Sequence, residues 1–251
     1  MASPGAWLLF LACAFVAEII GTMAGFGAAT ILTPIAILFM DVKTAIAVVA
    51  CFHLFGNASR LRFFGRHIHW TAWLQFGITG VMFSLLGARM TALLSPAAVK
   101  LALALFLLLY VAGDVLWPQG ARLPKTPWTL VVGGVASGFI AGLIGTGGAI
   151  RSACLLALSF PKDVYIGTSA AIALVVDGTR VPVYLAGHFI PGRMVPVVAS
   201  LTVVAFAGAW LGQRLVRRVS PTAFHRFVLV ILGLMGITLF IEGWHGLAAT
   251  R

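Results

Sequence analysis

Apolar runs follow one another along this chain with only short polar, glycine or proline breaks, at roughly 6–24, 29–40, 44–63, 71–93 and 97–117, then 128–144, 149–160, 165–186, 194–216 and 222–243. Runs of about twenty apolar residues are long enough to cross a hydrocarbon core of about 30 Å as helices. The second and seventh runs are too short for that, reaching less than about 20 Å at about 1.5 Å per residue. Each comes directly after a glycine cluster, Gly25-Phe26-Gly27-Ala28-Ala29 or Gly145-Thr146-Gly147-Gly148-Ala149. The pattern predicts an all-α polytopic membrane protein in which a long helix breaks at glycines and a half-helix restarts beyond the break. The first run has no Lys or Arg ahead of it and no clear small-residue cleavage site, so it reads as a mature helix and not as a signal peptide.

The two sets of five runs are copies of one unit. Gly65-Arg66-His67-Ile68 matches Gly187-His188-Phe189-Ile190, Leu86-Gly87-Ala88-Arg89 matches Leu211-Gly212-Gln213-Arg214, and Ser95-Pro96-Ala97-Ala98 matches Ser220-Pro221-Thr222-Ala223. The landmarks keep their order, and the second copy trails the first by roughly 120–125 residues. This organises the chain as a first membrane repeat (1–117), a polar linker bounded by Pro118 and Pro127 (118–127) and a second membrane repeat (128–251).

Composition narrows the class. The chain is 61% hydrophobic and 9% charged, against roughly a quarter charged in a soluble domain. Its net charge of +11 is no nucleic-acid footprint, because the cations sit mainly in short connections. If all ten runs cross, Arg60, Arg62, Arg66, Arg122, Lys125, Lys162, Arg214, Arg217, Arg218 and Arg226 fall on one side. Lys43, Arg89, Lys100, Arg193 and Arg251 fall on the other. With eight crossings the charges divide almost evenly. The positive-inside rule therefore favours ten crossings with both termini outside, which makes the five-run halves inverted relative to each other. Cys13, Cys51 and Cys154 lie in apolar runs without metal or redox spacing.

Non-helical backbone at membrane depth must be met by protein or by a water-lined cavity, and a restarted helix offers free N–H groups to an anion. Gly25, Gly27, Gly145, Thr146, Gly147 and Gly148 are thus candidate substrate-binding positions; close helix packing is the other reading of the same glycines. Arg151, on the first turn after the second cluster, is a candidate to grip an oxyanion, or else it reaches to an interface. The matched position is Ile31, so the cavity is expected to be asymmetric. Asp177 and Arg180, three apart, are placed to pair, as a structural ion pair or as a gate. Glu18 has no cation near it in sequence and is a candidate proton-coupling site, or a hydrogen-bond partner for a facing helix. His53 and Asn57 share a face that could line the same cavity, and Thr168 and Ser169 could offer hydroxyls to an anion or bond their own helix. No nucleophile elbow, P-loop or zinc motif points to an enzyme, and no metal or cofactor is called for.

The duplicated glycine cluster with its short apolar helix, the loop glycine with a basic or His residue, Leu-Gly-x-Arg and Ser-Pro together resemble the TauE/SafE sulfite-exporter family, also called the toluene sulfonate uptake permeases. The likeness covers nearly the whole chain, most specifically Ala24-Gly25-Phe26-Gly27-Ala28-Ala29 and Ile144-Gly145-Thr146-Gly147-Gly148-Ala149. The proline after the cluster is present as Pro34 and replaced by Cys154 in the second half. The resemblance implies a bacterial inner-membrane carrier exporting sulfite, a sulfonate or a related sulfur anion. The residues alone imply an anion, with the lipid bilayer and a coupling proton as further partners and no nucleic acid. A passive anion channel, a carboxylate transporter of the same architecture and a non-transporting sensor or scaffold are the competing readings, and the oligomeric state is open.

Overall fold

The computed structural model describes residues 3–116, 123–215 and 222–248, with side chains described outside 222–228. The Arg122, Arg217, Arg218 and Arg251 charges, the Ser220-Pro221 landmark and residues 118–122 of the 118–127 linker lie outside the described residues, as does the Arg226 side chain. All ten predicted helices are present: α1 (Pro4–Ala24), α2 (Ala28–Ile37), α3 (Val42–Phe64), α4 (Trp70–Leu93), α5 (Pro96–Leu116), α6 (Pro127–Ile144), α7 (Gly148–Ala157), α8 (Lys162–Ala186), α9 (Val195–Leu215) and α10 (Thr222–Ala248). Eight are long and apolar enough to cross a membrane, and the short pair is α2 and α7. No strand occurs among the described residues.

Local chemistry sets the helix ends. The Ser3, Asp41, His69 and Thr126 side chains accept from backbone N–H groups three residues on, satisfying donors that a helix start otherwise leaves free. At the inner ends of α1 and α6 the chain instead turns through left-handed backbone, at Gly25 (φ 76°) and Gly145 (φ 83°), which only glycine adopts without strain.

Contacts fix the direction of each helix. Gly21 abuts Ala28 at one end of α2, while at the other end the Phe39 ring packs 5.2 Å from Phe10. The half-helix α2 therefore runs back along α1, and α3 starts again in the direction of α1. The second half repeats this. Gly147 abuts Ala141, Cys154 abuts Gly133, and Lys125 Nζ donates to Ser159 Oγ (3.0 Å), so α7 runs back along α6. Between halves, α3 and α8 run antiparallel: Lys43 lies over the Phe189 ring, His53 meets Asp177, and the His69 N–H donates to Thr168 Oγ1 (2.9 Å). The remaining packing is reciprocal, with α1 on α9 and α6 on α4, and α5 on α10.

Large apolar side chains such as Leu8, Leu109, Val203 and Trp244 face outward, whereas Glu18, Arg60, Arg151, Asp177 and Arg180 are buried. That is the distribution expected when the surrounding solvent is lipid. Arg60, expected in a loop, is 1% exposed in the body of α3, so it leaves the charge count. Arg62, Arg66, Lys125, Lys162 and Arg214 sit at the end of the bundle where α3 ends and α8 begins, and Lys43, Arg89, Lys100 and Arg193 sit toward the other.

In lipid, helices associate through close backbone approach at small residues. Along α4 and α6 a Cβ on Gly138 would overlap the Gly80 backbone, and one on Gly142 the Ser84 carbonyl. Gly113, by contrast, faces open space. Gly138→Val is expected to separate α4 from α6, cost about 2 kcal/mol and lower the Tm in detergent by roughly 5 °C, while Gly113→Ala leaves it unchanged. Equal Tm values for the two variants would refute this packing.

Candidate anion site at two helix breaks

The two breaks meet inside the bundle, where Thr30 Oγ1 on α2 and Thr146 Oγ1 at the second break lie 2.6 Å apart. Both half-helices begin on a glycine, Gly27 or Gly147, and neither has a side-chain cap. Their first-turn N–H groups therefore keep no partner on their own helix, since the backbone bonds begin with Ile31 N–H to Gly27 O and Arg151 N–H to Gly147 O. Gly147 O in turn accepts from Ser137 Oγ (2.8 Å), which fixes the second break against α6.

A narrow cavity lies at this junction, lined by Gly27, Ala29, Thr30, His53, Ala141, Gly145, Gly147, Gly148, Arg151, Val176, Asp177 and Arg180. It is small, holding little more than water-sized space, so anything much larger than a water fits only when the surrounding helices separate. Arg151 is 3% exposed. Its Nε donates to Ser169 Oγ (3.0 Å), which donates to Gly25 O (2.9 Å), tying the second half-helix to the first break. Arg151 Nη2 is buried and has no hydrogen-bond partner. A Cβ built on Gly148 would stand 3.6 Å from this nitrogen and 3.8 Å from Gly27 N, so the bare glycine leaves both facing one small space. An unpartnered guanidinium nitrogen at membrane depth is costly, and an acceptor placed there removes the cost.

The other buried charges described are paired with one another, although Glu18 Oε2 keeps no partner of its own. Asp177 Oδ1 accepts from Arg180 Nε (2.9 Å) and Nη2 (2.7 Å), and Oδ2 accepts from His53 Nδ1 (2.8 Å) and Asn57 Nδ2 (3.2 Å). Arg180 Nη1 continues to Ala141 O (2.5 Å), the residue beside which α7 begins. Asn57 Oδ1 accepts from Arg60 Nη1 (3.0 Å), which fixes the amide orientation because a guanidinium only donates. Arg60 then donates through Nε to Thr22 Oγ1 (3.0 Å) and through Nη2 to Glu18 Oε1 (2.5 Å). One polar chain thus runs from α1 through α3 to α8.

The sequence candidates separate into three groups. Gly27, Gly145, Gly147, Gly148, Arg151, His53, Asp177 and Arg180 line the cavity; Gly25, Thr146, Ser169 and Asn57 stand just behind it as hydrogen-bond partners. Thr168 is turned away, capping the entry to α4 through His69. Glu18 is outside the cavity, packed on Gly56 and Gly208 and held by Arg60, a cation 42 residues away that local sequence inspection misses. The signal for Arg60 was present: His53, Asn57 and Arg60 form a polar stripe at helical spacing along an apolar run. Tyr165, packed on Gly25 and bonded to Ser152 (2.7 Å), gave no such signal.

Removing one partner of a buried ion pair leaves the other charge stranded. Arg60→Met is expected to cost about 3–5 kcal/mol, and adding Glu18→Gln to recover a large part of it, as read by thermal unfolding in detergent. A double variant no more stable than the single one would exclude the pairing.

The model of the family described as sulfite exporter TauE/SafE matches residues 10–239. Comparison with curated proteins and with solved structures returns no match. With a match over nearly all of its length, on a helical bundle whose paired glycine breaks enclose a buried cation, the chain belongs to the TauE/SafE family of membrane transporters of sulfite- and sulfonate-type anions.

Proposed function

We propose that this protein is a secondary transporter that binds one small sulfur oxyanion, such as sulfite or a sulfonate, between the two helix breaks and moves it by alternating access. The observation that carries the reading is the unpartnered Arg151 Nη2, buried in a cavity that two uncapped half-helix starts also face. A guanidinium and backbone N–H groups together offer an oxyanion several charge-assisted hydrogen bonds without requiring a counter-charge elsewhere. The antiparallel α3 and α8 and the reciprocal packing of the other helices support reading 1–117 and 128–251 as inverted repeats, with the site near their pseudo-twofold axis. Rocking one repeat against the other opens the cavity to either side in turn.

The end of the bundle carrying Arg62, Arg66, Lys125, Lys162 and Arg214 is also the end at which the connections holding Arg122, Arg217 and Arg218 join helices in the sequence and at which α10, with Arg226 near its start, begins. The positive-inside rule makes that end cytoplasmic and puts both termini outside, in a plasma membrane. Export is the direction named in the family description.

A ligand bound only by the folded protein raises apparent stability, by about 2.7 kcal/mol at a hundredfold excess over Kd. Sulfite, thiosulfate or methanesulfonate is therefore expected to raise the Tm of the purified protein, and Arg151→Gln to weaken that binding roughly 10- to 100-fold. An unchanged ligand shift in Arg151→Gln would remove the site from this cavity. In proteoliposomes, gradient-driven uphill accumulation separates a carrier from a channel, which only equilibrates the anion.

A further inference from the structure

The cavity holds one ionisable group that anion binding by Arg151 leaves unused, the imidazole of His53. It is 5% exposed and lines the same cavity. Its Nδ1 stands 2.8 Å from Asp177 Oδ2, on a carboxylate that Asn57 and Arg180 also occupy. Opposite a carboxylate, Nδ1 carries the proton and donates, which leaves Nε2 as the nitrogen that gains or loses one. The charges acting on the ring are Asp177 from α8, Arg151 from α7 and Arg60 from its own helix, with Arg180 beyond Asp177. From α1 comes Glu18, packed on Gly56 one turn along α3 from His53 and held by Arg60, and the remaining elements packed on α3 supply no charge at this depth. From α2 comes only Thr30, Arg214 of α9 stacks on Trp210, Lys100 of α5 pairs with Glu242, and the Gly65–His67 turn lies past the end of the helix.

Buried charge then sets the anion's valence. Among the described residues three buried guanidiniums, Arg60, Arg151 and Arg180, face two buried carboxylates, Glu18 and Asp177. With His53 neutral, one positive charge is unmatched, and a monoanion neutralises it. A dianion leaves one negative charge uncompensated inside the bundle unless a proton enters with it.

Resting on the anion reading of the Arg151 cavity, we propose that His53 is the proton-binding site of this transporter. A monoanion binds with His53 neutral, and a dianion binds together with one proton on Nε2. The proton comes from water, no bond to the anion forms or breaks, and proton and anion leave together. Proton coupling is then a property of dianionic cargo and not of every substrate.

Thiosulfate and methanesulfonate test this, being tetrahedral ions of similar size and different charge; sulfite exchanges protons itself near neutrality and blurs the count. Calorimetric titration of the wild-type protein at about pH 8, above the ordinary imidazole range near 6.5, in two buffers of different ionisation heat, counts protons taken up. The expected result is about one proton per thiosulfate and about none per methanesulfonate. His53→Gln keeps a donor for Asp177 but cannot be protonated. Relative to wild type it is expected to lose at least about tenfold in preference for thiosulfate over methanesulfonate and to take up no proton. Equal proton counts for the two anions, or undiminished uptake with thiosulfate in His53→Gln, overturn the proposal, and loss of that uptake in Glu18→Gln would move the proton to Glu18. If His53→Gln does not fold, wild-type affinity decides: thiosulfate is expected to weaken about tenfold per pH unit on the alkaline side while methanesulfonate stays level, and parallel profiles refute it. Absence of binding of either anion to wild type sinks the anion reading itself, whereas binding without a difference in protons sinks only the role of His53.

Discussion

Hydrocarbon offers no hydrogen bonds, so every interruption of a helix in this bundle must be answered from within the protein. The two glycine breaks are where that constraint bites. The carbonyls at the breaks find Ser169 and Ser137, and the hydroxyls of Thr30 and Thr146 find each other. The first-turn N–H groups of α2 and α7 find nothing on their own helices, and Arg151 Nη2, which shares their space, finds nothing at all. The unmet donors gather at one place, and elsewhere among the described residues only Glu18 Oε2 and Thr33 Oγ1 are buried side-chain atoms without a partner. In a medium where each unmet donor costs free energy, that gathering of donors is what supports the proposed anion site.

The fold was largely legible because lipid enforces a simple code. Helix length follows from bilayer thickness, so ten runs and their two short members could be read from hydropathy alone, and the glycine landmarks fixed where helices end. The site was legible only in part. Arg151 and the glycines stand out by position, but Arg60, counted in the sequence with the cations of the connections, is buried in α3. Its partner Glu18 is 42 residues distant, and pairing across α1 and α3 depends on the return made by α2. Tyr165 against Gly25 is likewise a product of packing between halves. Contacts of that kind leave no periodic trace in a single chain.

The polar chain from Glu18 to Arg180 has a mechanical consequence. It joins α1 and α3 to α8 through hydrogen bonds that are short, buried and almost fully satisfied. Breaking it in lipid would expose two charges at once, so α3 and α8 are the pair least able to separate. The proposed rocking of the repeats therefore keeps this contact and pivots on it.

Asymmetry within the duplicated scaffold follows from the same electrostatics. A twofold-symmetric site would place an arginine at position 31 as well as at 151, and two unpaired guanidiniums would then face one small cavity. Their mutual repulsion, in an interior that screens poorly, would hold the breaks apart in the absence of anion. Ile31 instead packs into the apolar cluster around Phe10 and Leu32, so one half-helix contributes only backbone donors while the other contributes the charge. In the proposed carrier one cation suffices to draw in an anion, and a single excess charge opposes closure of the cavity less than two would.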